Sequence, residues 1–296
     1  MLTKIFYDVD NFCKEFESQW TQRLLTAGEV KRIKKPRLIM SEIMTILIYF
    51  HFSKFRTFKD YYVKFICGFQ HSAFPNLVSY NRFIELSQGV IVPLLVYLKS
   101  RRLGQITGIS FIDSTPLKVC HPRRIHSHRV FKDLAQRGKS STGWFYGFKL
   151  HIVINDRGEL LAFNLTPGNV DDRNKFLLDK LTRRLFGKLF GDKGYLGQDI
   201  FQFLMQRGIE LITKIRKNMK NKLIPLMDKI LLRKRSLIET VNDELKNICQ
   251  IEHTRHRSPV NFLVNLISGL IAYTYLPQKP SLNLHWGNQY MPLLAC

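Results

Sequence analysis

The sequence predicts an α/β protein: a mixed sheet flanked by helices, preceded by an all-α N-terminal segment. Three observations carry this. Residues 1–105 repeat apolar side chains at helical spacing and hold few strand signals. The texture changes at Gly104–Gly108, and the runs that follow read β-β-β-α-β-α-β-α. The chain has 296 residues, enough for one large domain or two ordinary ones. The expected division is 1–105 helical, 106–276 α/β and 277–296 a poorly periodic tail.

The helical part opens with Tyr7, Phe12 and Phe16 at helical spacing. Ser41 begins a capping signature before the apolar run SEIMTILIYFHF, and SKFRTFKDYYVKFI continues in the same style. Pro75 breaks the chain, and Ser79 is placed to cap SYNRFIEL. That cap puts Tyr80, Asn81 and Arg82 in a first helical turn, the place from which a recognition helix reads bases. A small helical domain packed on its neighbour, with polar residues facing water, has the same composition.

GISFID then reads as a strand ending at Asp113, and STPLKVC as a turn and a second short strand. In HPRRIHSHRVFKDLAQRGK six Arg and Lys, Arg123 and Arg124 among them, stand against one Asp133. The spacing of Cys120 with His121, His126 and His128 matches no familiar zinc set, and the arginines would repel a cation; phosphate contact fits better. GKSST resembles the end of a P-loop, but position 133, where the pattern needs Gly, is Asp. FKLHIVIND and ELLAFNLTPGN make a β-hairpin about Asp156–Gly158. Side chains two apart on a strand share a face, so Lys149 and His151 point the same way. Trp144, Phe145 and Tyr146 either stack an unpaired base or pack a loop on the core.

NVDDRNKFLLDKLTRRLF is the next helix, and KLF leads into the corner GDKGY, which presents Asp192 at a strand end. DIFQFLMQRG is helical, IELITKIR is a strand, and NMKNKLIPLMDKILLRKR is strongly basic. RSLIETVNDELKNI is a long helix carrying Glu239. FLVNLISGLIAYTYL is shorter than the ~20 residues that span a bilayer and holds Asn265 and Ser268, so it reads as a buried core helix.

The chain carries 46 Lys+Arg against 23 Asp+Glu, a formal net charge of +23. Such an excess points to a polyanion, nucleic acid first; acidic lipid or protein is the alternative. The five cysteines are scattered and form no CxxC pair, and MLTKIFYDVDNF has acidic residues where a signal peptide needs an apolar run. A reducing cytosol is expected, with nucleoid association for a DNA-binding chain, and no membrane partner.

Asp113 and Asp192 at strand ends, with Glu239 on a helix, can form an oxygen-only site for Mg²⁺. Each has a local alternative. Asp113 can cap the turn at Ser114 and Thr115, Asp192 can make an Asx-turn into Gly194, and Glu239 can simply pair with Arg235. On the helix Glu239, Asp243 and Lys246 share a face, and Leu237, Val241, Leu245 and Ile248 form an apolar stripe. Glu244 also lies near that stripe, so burial alone does not choose between the two glutamates.

FIDSTPLKV, YGFKLH, GDKGY and a helix with R-x₃-E-x₆-K (Arg235, Glu239, Lys246) together resemble a DDE transposase of the insertion-sequence kind, with the nearest likeness to the IS982 family in the IS4/IS5-like group. The resemblance covers most of residues 106–275 and decides for Glu239. It implies an RNase H-like core and Mg²⁺ or Mn²⁺ held by Asp113, Asp192 and Glu239. It further implies strand cleavage and transfer at terminal inverted repeats. The partners expected are double-stranded DNA, as element ends and as target, and further copies of the chain on it. The wider group often has Tyr three residues before the Arg; here that position is Leu232. Lys149, His151 and Lys246 would contact DNA beside the site, with Arg235, Arg123, Arg124 and Arg82, unless the first three are solvated face residues. A DNA-binding regulator that has lost catalysis and a nuclease without a transfer step share much of this pattern.

Overall fold

Strands start only where the helical pattern stops, because β-branched and aromatic residues then alternate at period two. The computed structural model describes residues 1–26, 36–140, 143–214, 225–252 and 256–282. Residues 215–224, which hold part of the expected basic run, lie outside the described residues, as do Ser141, Thr142, residues 253–255 and the tail from 283 onward.

α1 (Leu2–Thr26) and α2 (Met40–Phe50) pack on each other. The cap expected of Ser41 is not made. The helix begins two residues earlier, at Met40, Glu42 reaches back to the Ile39 N–H at 2.9 Å, and the Ser41 hydroxyl donates to Asp10 at 2.9 Å. Glu42 stands at the third helical position, so its longer side chain takes the orphan amide. A run of helical turns follows: α3 (Phe58–Asp60), a π-helical stretch (Tyr61–Ile66) and α4 (Cys67–Phe69). α5 (Tyr80–Gly89) is capped by Ser79, whose hydroxyl accepts from the Arg82 N–H at 3.4 Å; α6 (Ile91–Tyr97) continues into a π-helical turn ending at Arg102.

Six strands make one mixed sheet: β1 (Ile109–Cys120), β2 (Gln136–Ser140), β3 (Gly143–Asn155), β4 (Leu160–Pro167), β5 (Gly187–Gly191) and β6 (Ile209–Thr213). The order is β2-β3-β1-β5-β6, with β4 beside β3. β1 is antiparallel to β3 and parallel to β5, and β5 is parallel to β6. The turn expected after Asp113 does not occur: β1 runs straight through Pro116. Its pairing with β5 ends at Phe111, so from there on only the β3 edge needs ladder bonds and a residue without an N–H is tolerated.

Alternation sorts the strand residues into two interiors. Phe111, Leu150, Ile152, Ile154 and Phe190 face the larger one. Ile112, Val153 and Leu189 face the smaller one, under α7 (Lys175–Thr182) and α8 (Gln198–Met205). The larger interior is closed by α9 (Leu226–Arg233), α10 (Ser236–Asn247) and α11 (Pro259–Thr274). α11 is the buried core helix expected, and it packs against α2, α5 and α6, so one continuous interior joins the N-terminal helices to the sheet. No single described helix is long and apolar enough to cross a membrane.

Candidate active site

Strand register builds this site. The parallel β1–β5 ladder ends at Phe111 opposite Phe190. Asp113 and Asp192 each lie two residues further on, so they stand level on neighbouring strands and lean to the same side. Asp192 leaves β5 in extended geometry (φ −76°, ψ 168°) and its carboxylate makes no capping bond, so the Asx-turn alternative is not realised. Gly191 makes the corner possible: a Cβ there would press on the Tyr195 ring at 3.2 Å and on Ile112 at 3.3 Å. Tyr195 tucks under the corner with its buried hydroxyl lacking a hydrogen-bond partner.

α10 lies across β1 with one polar stripe, Arg235–Glu239–Asn242–Lys246, at steps of four, three and four residues. Arg235 stands 3.7 Å from the Asp113 carboxylate and pairs with Glu239 at 2.5 Å. Asn242 donates to Asp113 at 3.1 Å, and Lys246 donates to the Pro116 carbonyl at 2.8 Å while pairing with Glu252 at 3.3 Å. Asp113 is only 22% exposed, whereas Glu239 is 56% exposed. Burial pushes the Asp113 carboxyl up to about 6. Arg235 and the Ser114 N–H oppose that shift, while Glu239 and Asp192 add to it. Burial raises Glu244, with Asp243 adding to the shift and Lys279 opposing it. Asp243 faces outward and binds Asn247, and Ile248, expected in the apolar stripe, is exposed. Asn242, buried among Ile238, Val241 and Leu245, takes that inner place and leaves its own Oδ1 without a partner.

The expected pairing of Lys149 and His151 with this site needs correction. They do share a face, but it is the opposite one. Asp113 is opposed by Ile152 and Ser114 by His151, and directly opposed residues point the same way. His151 is fully buried, with Nε2 2.9 Å from the Thr166 hydroxyl, and so cannot meet DNA directly. Burial first, then Lys149, pushes its imidazole down to about 4 against the pull of Asp172. Lys149 is mostly buried too, donating to the Val170 carbonyl at 2.8 Å and to Asp172 at 3.1 Å. Beside them opens a polar cleft of about 510 Å³ lined by Arg137, Lys139, Trp144, Arg173 and Gly194. Of the aromatic trio, Phe145 and Tyr146 pack inward, while Trp144 is 67% exposed with the Lys139 ammonium 5.8 Å from its ring. Arg123 and Arg124 are exposed on a short 3₁₀ turn, and Arg82 is exposed on α5, paired with Glu85 at 2.7 Å.

The donors around Asp113 are oxygen only, which suits a hard divalent cation. Among the described residues, no three His, Cys, Asp or Glu side chains lie close enough to hold an ion together. The Arg235 guanidinium supplies the positive charge between Asp113 and Glu239. The three acids thus suit a hard cation in donor type only, and in this structure Arg235 lies between Asp113 and Glu239.

A pH effect follows. Asp113 rises from 3.8 to about 6 on folding, so between those values the native chain holds more protons than the unfolded one. Stability then falls as pH climbs from about 4 to about 6, by on the order of 1–3 kcal/mol. Asp113→Asn is expected to remove that fall, read as the difference in urea midpoint between variant and wild type at pH 4 and pH 6.5.

Residues 103–259, a little over half of the chain, match a protein family described as "Transposase DDE domain". Among solved structures the chain is similar to a piggyBac transposase synaptic complex with hairpin DNA, at 11% identity over 92% of this chain and 72% of that one, with a TM-score of 0.45. That likeness is too remote to add to what the family match shows. No curated protein matches the chain.

Proposed function

Since the chain belongs to the DDE transposase domain family, we propose that it cuts DNA at the terminal inverted repeats of an insertion sequence and joins the ends to a target. The observation that supports this is the β1–β5 register, which leaves Asp113 and Asp192 two residues past the paired Phe111 and Phe190, with Arg235 reaching both Asp113 and Glu239. The IS982 group and an RNase H-like core are the finer assignments we favour.

Asp113, Asp192 and Glu239 are the residues that would hold Mg²⁺ or Mn²⁺. Such ions, when bound, supply Lewis-acid stabilisation of phosphoryl oxygens and an activated water. Asn242 fixes the Asp113 carboxylate through its amide. Lys246, tied to the Pro116 carbonyl, pins α10 to β1 and holds the stripe in register. Arg235 sits within reach of both Asp113 and Glu239, and a guanidinium released from them is suited to a phosphate by its planar fork.

The helices of 1–105 are proposed to grip the element ends, with Arg82 on an exposed face of α5. Arg123 and Arg124 would meet backbone phosphates. Several copies of the chain are proposed to assemble on the DNA, in the nucleoid.

The test is cleavage of a duplex carrying the cognate end. Nicked product is expected with Mg²⁺ or Mn²⁺ and not with Ca²⁺, which tolerates looser geometry. Full activity in EDTA would remove the metal-dependent reading.

A further inference from the structure

A second cavity lies far from Asp113 in sequence, between α2, α5 and α11, with a volume of about 780 Å³. Pockets for small ligands span roughly 300–1,000 Å³. Its apolar lining is Leu47, Phe50, Phe58, Ile84 and Val264. Its inner end is polar. Asn261, Asn265 and Ser268 form an i, i+4, i+7 stripe on the otherwise apolar α11, and His51 faces them from the end of α2. Asn261 Oδ1, Asn265 Nδ2 and Ser268 Oγ are buried and have no hydrogen-bond partner, while the buried His51 ring, bound at Nδ1, also lies against the Asn265 backbone. Ser268 is 1% exposed and His51 4%.

Buried polar atoms are normally satisfied, so three orphans around one cavity point to something that satisfies them. The chemistry of each is readable. His51 Nδ1 lies 2.5 Å from the Cys249 carbonyl and so carries the proton there, which fixes the ring at the cavity wall beside the Asn265 backbone. Burial pushes the imidazole down to about 4, which keeps it neutral at ordinary pH. Asn261 Oδ1 is an acceptor, Asn265 Nδ2 a donor and the Ser268 hydroxyl either. Gly269 permits this approach, since a Cβ there would meet Ile251 at 2.5 Å and His51 Cε1 at 3.2 Å. Exposed Lys59 and Arg257 stand at the mouth beside Tyr80 and Asn81, the first turn of α5.

Aromatic and aliphatic side chains, buried donors and acceptors, and two exposed cations lining one cavity suit a heterocycle bearing a phosphate. We propose that this cavity binds a nucleobase with its phosphate at Lys59 and Arg257. A base turned out of a DNA strand and a free mononucleotide share that chemistry.

Two probes separate them: the deoxynucleoside monophosphate of 2-aminopurine, and a duplex with one unpaired 2-aminopurine. Fluorescence is followed on the full chain in EDTA, so no cleavage is involved and the result is independent of the strand-cleavage reading. Saturable quenching by the rings is expected with at least one probe. Quenching of the duplex alone assigns the site to DNA, and of the nucleotide alone to an effector. Asn265→Leu should weaken binding roughly tenfold or more, because the lost amide leaves its partner unpaired. The same change should leave the melting temperature equal or higher, since it removes an orphan group. Should that variant fail to fold, Ser268→Ala, which leaves α11 unburdened, is expected to weaken binding several-fold. Absence of quenching by both probes, or unchanged binding in the folded variants, would overturn the proposal and leave bound water as the occupant.

Discussion

Asp113→Asn is expected to abolish strand cleavage, by roughly a thousandfold or more, while duplex binding and folding survive. Metal-assisted charge stabilisation is worth several kcal/mol, and about 1.4 kcal/mol is a factor of ten in rate. The asparagine keeps the shape beside Asn242 and loses the charge that faces Arg235. The loss should come with a gain, because an ionised carboxylate is costly where Asp113 sits. The variant should therefore be inactive and yet at least as stable as wild type at neutral pH. Glu239→Gln should give a similar loss and Glu244→Gln a far milder one, since Glu239, unlike Glu244, shares Arg235 with Asp113. Gel assays of nicking beside urea melts of the three variants check this. Normal cleavage by Glu239→Gln with none by Glu244→Gln would reverse the assignment.

The second large effect is that of salt on DNA affinity. Arg123, Arg124, Arg129, Lys132, Arg137 and Lys139 are all exposed, with Asp133 as the lone acid between them. If about six phosphates are neutralised, affinity should fall roughly 10³-fold between 50 and 200 mM salt. Arg123→Ala with Arg124→Ala should lower the log–log slope by about two. Fluorescence anisotropy of a labelled duplex measures both, and a slope unchanged by the double variant would take that turn out of the interface.

Much of the site was legible because it rests on period and parity. The alternation of FKLHIVIND fixed β3, and the apolar run ending at Asp192 fixed β5. What failed has physical reasons. Pro116 looked like a turn because a sequence does not say which strand edge goes unpaired. β2 was missed because QRGKS, on the outer edge of the sheet, has no apolar alternation to betray it. For Lys149 and His151 the period gave a shared face but not which face, and that depended on the partner register. Asn242 left a usable signal: the seven-residue gap from Glu239 to Lys246 is two helical turns, and the residue between them on that side is Asn242. A polar residue amid Ile238, Val241 and Leu245 implies a buried hydrogen bond, here the one to Asp113.

The seating of α11 against α2, α5 and α6 has a consequence for how the chain comes off the ribosome. The first hundred residues cannot close their interior until the helix ending at Thr274 has emerged. At ordinary elongation rates that is a wait on the order of ten to thirty seconds, with apolar helix faces uncovered. Contacts between such distant segments also slow folding itself. A nascent or truncated chain ending before α11 is thus a ready client for chaperones and proteases.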